Sequence, residues 1–273
     1  MIIDVHTHIY PEKIAKKAVA KLEACSHIPA QTNGMRDGLL ASMKEAGVDY
    51  SLLLPVATSA RQVDKINEEA GQTNAESSQT GLLSFGGIHP QTSDHKAVLR
   101  KVKSLGLKGI KLHPDYQDTF FNDISYKRIV TEATELGLYV MVHAGKDIGL
   151  PTPIHCRPEH IVEVVKETGS DRLILAHMGG WRLWDEVEKQ LMELPVYFDT
   201  AFSEDYIEGV QGMLSADRFV ELVRTIGTER VLFGTDSPWS DQKEAVEWLR
   251  NTFLTEEEKE LIFHKNFERI IGI

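Results

Sequence analysis

The chain has 273 residues, 42% hydrophobic and 26% charged, with a formal net charge of −11. That is the composition of an ordinary globular protein, and its acidity argues against nucleic acid or an anionic membrane surface, both of which reward basic patches. Two cysteines, Cys25 and Cys156, make no disulfide framework, and no apolar run approaches the roughly 18 residues of a membrane span, so a cytoplasmic chain without a signal peptide is expected.

The first strand reads Ile2-Ile3-Asp4-Val5-His6-Thr7-His8. Side chains alternate along a strand, so His6 and His8 share one face, about 6–7 Å apart, and two imidazoles leaning from there can meet on one cation. A buried strand that merely holds two histidines is the competing reading. Glu12 to Cys25 reads as a basic, Ala-rich helix, Ser26 to Asn33 as a loop, and Met35 to Ala46 as a second helix stopped by Gly47. Two helices before the next strand make a long first crossover, of the kind that covers a site as a lid.

Asp49 to Pro55 is the second strand, and Ala60 to Ser78 is helical. Strands follow at Leu82–Pro90, Leu107–Pro114, Leu138–His143, Arg172–His177, Val196–Thr200 and Arg230–Asp236. Between them lie helices near 94–105, 124–136, 158–168, 183–192 and up to Ile226, and two more helices close the chain. Near-continuous apolar strands alternating with helices indicate a parallel sheet covered on both faces. Eight such units fit an α/β fold of the (β/α)8 TIM-barrel type, distorted by the extra helices after the first strand, as one domain over 1–273; a doubly wound sheet is the runner-up.

Polar residues gather at the C-terminal ends of these strands: His6 and His8, His89, Lys111 and His113, His143, His177, Asp199, and Asp236. In a parallel barrel those ends share the face that carries the active site. Six of the 11 histidines sit there, which favours a metal or acid–base centre over chance. His143 reads as a ligand, and His177 as a ligand or a proton-handling neighbour. Asp236, at the end of Phe233-Gly234-Thr235-Asp236, is a carboxylate that burial penalises unless it is paired or metal-bound. Asp199 either functions or bonds nearby backbone, and His89 functions or supports a turn at Pro90. Lys111 and His113 share a strand face; either reaches the centre, or Lys111 pairs with a carboxylate and His113 caps the rim. His27, His95, His155, His160 and His264 lie on loops and helices and read mostly as solvated. No P-loop, G-x-G-x-x-G, G-x-S-x-G or H-E-x-x-H is present, and Cys156 beside His155 is weak as a nucleophile.

The set His6-x-His8, His143, His177 and Asp236, in that order, resembles the amidohydrolase superfamily. More narrowly it is similar to the amidohydrolase-related branch of metal-dependent TIM-barrel hydrolases, which also holds aminocarboxymuconate-semialdehyde decarboxylase and resorcylate decarboxylases. Ala176-His177-Met178-Gly179-Gly180, Phe233 to Pro238 and the closing Phe263 to Gly272 carry the resemblance through the chain. It implies a divalent metal, zinc as the expected ion, one or two in number, held by His6, His8, His143 and Asp236. His177 would ligate a second metal or polarise the substrate, and Asp236 would also carry protons. Arg157, Trp181, Arg182, Phe202 and Trp239 are the candidate substrate contacts, with structural salt bridges the alternative for both arginines.

The first reading is a metal-dependent hydrolase whose activated water attacks a small ester, lactone, amide or related bond. The alternative is a metal-dependent decarboxylase acting on a small carboxylic acid. A TatD-type deoxyribonuclease fits less well, because that family places an acidic residue where Lys111 and His113 stand. A non-catalytic metal-binding barrel has no need of Asp236 and His177 together. The expected partner is a small-molecule substrate, with a homodimer compatible and no nucleic acid or membrane.

Overall fold

The computed structural model describes every residue except Pro151, Glu208 and Ile273. Its strands are β1 (Ile3–Thr7), β2 (Tyr50–Leu53), β3 (Leu82–Ser84), β4 (Gly86–Gly87), β5 (Gly109–Leu112), β6 (Tyr139–Val142), β7 (Leu173–Leu175), β8 (Tyr197–Asp199) and β9 (Val231–Leu232), with helices between them. Helices at Glu12–Ser26 and Arg36–Ala46 follow β1, as expected of the long first crossover. Among the described residues no helix is long and apolar enough to cross a membrane. The chain forms two compact units, one of Met1–Leu53 with Asp199–Ile273 and one of Leu54–Phe198.

In the first unit β1 runs parallel to β2, pairing Ile3 with Tyr50 and Thr7 with Leu53 across a register shift after Asp4. The other edge of β1 meets the segment after β9: Val5 N donates to Phe233 O at 2.8 Å and Asp236 N to His6 O at 2.8 Å. Both faces of β1 are buried, which is why its apolar residues and its polar ones both pack inward of solvent. The helix Ala216–Ile226 buries Phe219, Val220, Leu222, Val223 and Ile226 on one stripe, and Ser215 caps it by accepting Arg218 N. Asp241 caps Gln242–Arg250 in the same way.

In the second unit β4, β5, β6, β7 and β8 pair in parallel in chain order. Ile110, Leu112, Val140 and Val142 are fully buried, each stabilising by about 1.5–3 kcal/mol. The single strand expected over 82–90 is broken at Phe85. Two side-chain amides of the helix Val63–Ala75 explain the break: Asn74 bonds Ser84 N and O at 2.6 and 3.2 Å, and Asn67 bonds Gly87 N and O at 2.8 and 3.1 Å. Side chains there take the place of a strand partner.

Candidate metal centre

The first unit brings three predicted ligands together. His6 Nε2 and His8 Nε2 lie 3.2 Å apart, and Asp236 Oδ1 lies 3.6 Å from the first and 3.2 Å from the second. Bonds of about 2.0–2.1 Å space tetrahedral ligands about 3.3–3.4 Å apart and neighbouring octahedral ones about 3.0 Å apart. The triangle is therefore the right size for one divalent cation.

The polarity of the ligands is set from behind. His6 Nδ1 lies 2.8 Å from Asp199 Oδ2, with both side chains out of solvent, and Asp199 Oδ1 accepts Ala201 N at 3.0 Å. A carboxylate on Nδ1 holds the proton there and leaves the Nε2 lone pair facing the cluster. Asp199 thus bonds nearby backbone, one of the two readings of it, and also faces His6. Gly234 lets the ring in: a Cβ on it would come 2.9 Å from His6 Cβ. Asp236 has φ 69, a left-handed backbone that an aspartate tolerates better than most residues but that still costs energy. Tyr10 has its phenol pushed up by burial and then by the charge of Asp236.

Asp4 went unnoticed in the sequence. It is fully buried and accepts Thr235 Oγ1 at 2.6 Å, Thr235 N at 3.0 Å, Gln242 Nε2 at 2.7 Å and His6 N at 3.1 Å. Burial lifts its carboxyl to about 7 against these hydrogen bonds. It clamps the first strand to the turn that carries Asp236. Its only sequence signal was its place in phase with His6 and His8.

The second unit holds His143 and His177, with His177 Nε2 3.0 Å from His143 Nδ1. His177, Met178 and Gly179 all have positive φ, at 59, 53 and 83, a tight turn that Trp184 Nε1 secures by donating to His177 O. His113 is sandwiched, its ring centroid 3.8 Å from that of Tyr116 and 4.1 Å from that of His143, each pair stacked with planes 8° and 7° from parallel. Its Nε2 lies 3.6 Å from Asp147 Oδ2. Gln117 ties the turn down by accepting His113 N and Tyr126 Oη and donating to the carbonyls of Ala57 and Ile88. Lys111 is buried on β5.

His155, expected among the solvated histidines, is buried. Its Nδ1 and backbone N both reach Asp115 Oδ1, at 2.9 and 3.2 Å. The aspartate lies 40 residues away on another loop, so no local pattern announced it. His89 takes the turn role: it is buried, burial lowers its pKa, and Gln91 N donates to its Nδ1. Cys156 is buried and free, its thiol pushed well up by burial, whereas Cys25 is free and exposed.

Of the expected substrate contacts, Arg157 is engaged by Glu159 at 2.6 Å and Glu186 at 2.8 Å, the salt-bridge alternative weighed for it. Arg182 lies over the Trp181 ring, 4.4 Å from its centroid, and Trp181 is buried. Gly145 must be glycine, with φ 89 and a Cβ position only 2.1 Å from Trp181 N. Trp239 is half-buried next to the first cluster, its N donating to Asp236 O, and Phe202 is buried at φ 49.

Comparison with known proteins adds three findings. The family model described as Amidohydrolase matches residues 3–273. A gamma-resorcylate decarboxylase of Polaromonas sp. strain JS666 is 26% identical over 113 residues, covering 37% of this chain and 34% of that protein, so the match spans about a third of the curated relative. Among solved structures, an uncharacterised TIM-barrel protein of Bordetella bronchiseptica is 15% identical with a TM-score of 0.75, covering 99% of this chain and 98% of that one. A dihydroxybenzoic acid decarboxylase of Polaromonas sp. JS666, solved with manganese and the inhibitor 2-nitroresorcinol, is 15% identical with a TM-score of 0.72, covering 99% and 96%. Likeness over the whole chain shows the (β/α)8 barrel fold and sets aside the doubly wound sheet.

Proposed function

The chain belongs to the amidohydrolase family, and from that premise we propose that it is a metal-dependent decarboxylase acting on a small carboxylic acid of the hydroxybenzoate kind. The observation that carries the metal dependence is the His6–His8–Asp236 triangle with Asp199 behind His6. The resemblance to decarboxylases, one of them holding manganese, selects the reaction and makes manganese as good an expectation as zinc. The family match over nearly the whole chain supports treating residues 1–273 as one functional domain.

In this reading His6, His8 and Asp236 hold the cation, and the resemblance adds His143 as a further ligand. When bound, the cation would polarise a carboxylate or neighbouring oxygen of the substrate. Asp236, having first taken up a proton from solvent, delivers it to the ring carbon that bears the carboxylate. The bond to that carboxylate then breaks, its electrons return to the ring, and carbon dioxide leaves. His177, oriented through His143, handles a proton or stabilises charge on the substrate oxygen. Trp181, Arg182, Phe202 and Trp239 are proposed to shape the substrate's surroundings, whereas Arg157 would first have to leave a glutamate.

Hydrolysis is the second reading, favoured by the family's own description, because the same carboxylate can take a proton from an attacking water. The test is a panel of hydroxybenzoates, simple esters, lactones and amides, assayed with manganese- and zinc-loaded protein. Carbon dioxide release, cut by about 10²–10⁴-fold in Asp236→Asn with an unchanged circular dichroism spectrum, is the expected result. Cleavage of esters or amides with no decarboxylation would replace this proposal with the hydrolytic one.

A further inference from the structure

The turn after β5 holds a carboxylate with one oxygen to spare. We propose that Asp115 Oδ2 accepts a hydrogen bond from a hydroxyl on the substrate's ring, and so selects a hydroxybenzoate that carries a hydroxyl besides the oxygens left to the cation. This rests on the decarboxylase reading and employs a residue that the reaction above leaves idle. Asp115 and His143 both belong to the second unit. The Asp115 side chain is 1% exposed, and its Oδ2 lies 4.0 Å from His143 Nε2. That oxygen is buried and accepts no hydrogen bond among the described residues.

The other oxygen fixes its direction. Asp115 Oδ1 accepts the backbone N of His155 at 3.2 Å and its Nδ1 at 2.9 Å, which pins the carboxylate with Oδ2 on the His143 side. Donors on the same turn are committed elsewhere. Gln117 Nε2 donates to the carbonyls of Ala57 and Ile88, and Tyr116 N donates to His113 Nδ1. His143 is no donor to it either. At 4.0 Å its Nε2 is beyond hydrogen-bond reach, and in the reading above that nitrogen serves the cation and carries no proton. A buried carboxylate oxygen without a donor is costly, and a hydroxyl brought in by a ligand removes the cost.

Decarboxylation has a use for such an acceptor. Protonating the ring carbon that bears the carboxylate puts positive charge on the ring, and a ring hydroxyl shares that charge through its oxygen. Its O–H becomes a stronger donor, so the bond to a carboxylate tightens more in the transition state than in the bound substrate. The hydroxyl keeps its proton throughout, and when carbon dioxide leaves the charge disappears and the bond relaxes. A methyl ether at the same position has no proton to give and sets two acceptors face to face.

The experiment compares dihydroxybenzoates with their monomethyl ethers on wild type and Asp115→Asn. Carbon dioxide release is followed on manganese-loaded protein, and binding of the same compounds is followed by calorimetry on loaded and metal-stripped protein. For wild type, methylating one of the two hydroxyls should lower kcat/KM by about 100-fold or more. In Asp115→Asn the amide oxygen keeps the two His155 donors, so the NH2 stands where Oδ2 stood. The preference should then shift towards that ether by about 10–100-fold, with manganese content unchanged. A purely structural role would weaken both compounds alike. If Asp115→Asn lacks a native circular dichroism spectrum, Asp115→Ala takes its place and should treat hydroxyl and ether equally. Wild type that does not distinguish hydroxyl from ether, a variant that keeps the wild-type ratio, or loss of manganese from the variant would each overturn the inference. If no compound is decarboxylated, the decarboxylase reading falls by itself. Binding to metal-stripped protein then decides for Asp115: tighter binding of the hydroxyl compound by wild type, reversed in the variant, upholds it, and equal binding removes it.

Discussion

Replacing Asp199 with asparagine tests whether His6 is a ligand at all. Asp199 Oδ1 accepts Ala201 N at 3.0 Å and Oδ2 faces His6 Nδ1 at 2.8 Å. An asparagine can satisfy only one of these. With its oxygen on Ala201 N, its NH2 confronts His6 Nδ1 and drives the ring's proton onto Nε2, where the cation must bind. With the amide flipped, the NH2 confronts the Ala201 N–H instead. The first orientation puts a proton on the nitrogen the cation needs and the second sets one buried donor against another, and either costs about 1–3 kcal/mol. Passed on to cation binding, that is a loss of about 10–100-fold in affinity, the usual range when a carboxylate behind a metal-ligating histidine is removed. The assay is competition with a chromophoric chelator for manganese and for zinc, on protein whose thermal transition is recorded alongside. Wild-type affinity in a folded Asp199→Asn chain would refute the assignment of His6 and the tautomer argument together.

Three more outcomes are expected. Asp4→Ala strands four donors and should cost about 3–5 kcal/mol in urea unfolding, while Asp4→Asn should cost far less, because Gln242 Oε1, which accepts no hydrogen bond among the described residues, can flip to receive the new NH2; similar losses for both would contradict this. Glu204 is raised to about 8, chiefly by burial. A carboxyl held protonated in the fold stabilises it below the ordinary glutamate range, and the contribution is lost as pH rises through about 8. Glu204→Gln should therefore flatten the decline of stability between pH 5 and 9, by at most about 5 kcal/mol, and urea midpoints that fall equally steeply in the variant would count against it. Gly234→Ala would push on His6 Cβ and should weaken cation uptake by about tenfold or more; calorimetry showing no change would mean the strand yields instead.

Much of the architecture was legible because its signals are local. The alternation of β1 put His6 and His8 on one face, and apolar strands ending in His143, His177, Asp199 and Asp236 marked where polar chemistry gathers. What escaped notice depends on distant partners. Asp4 is a clamp only because Thr235, 231 residues on, comes beside it. Asp115 matters because of His155, and His155 looked solvated because its loop carries no pattern. The break at Phe85 came from amides on a neighbouring helix, which no strand propensity encodes. The arrangement His-x-His with a distant aspartate serves hydrolysis and decarboxylation alike, so the reaction was not readable from ligands. The likeness to decarboxylases turned the preference towards carbon–carbon cleavage.

The contrast between the two thiols has a practical consequence. Cys25 is exposed, whereas Cys156 is buried and its thiol held well above the ordinary range, and thiolate is the reactive form. A maleimide dye should therefore label the folded chain once, at Cys25 near the end of the helix Glu12–Ser26, and twice only after denaturation. That gives a fluorescent reporter on the first crossover without mutagenesis, and the second labelling event becomes a clock for the opening of the unit that shelters Cys156.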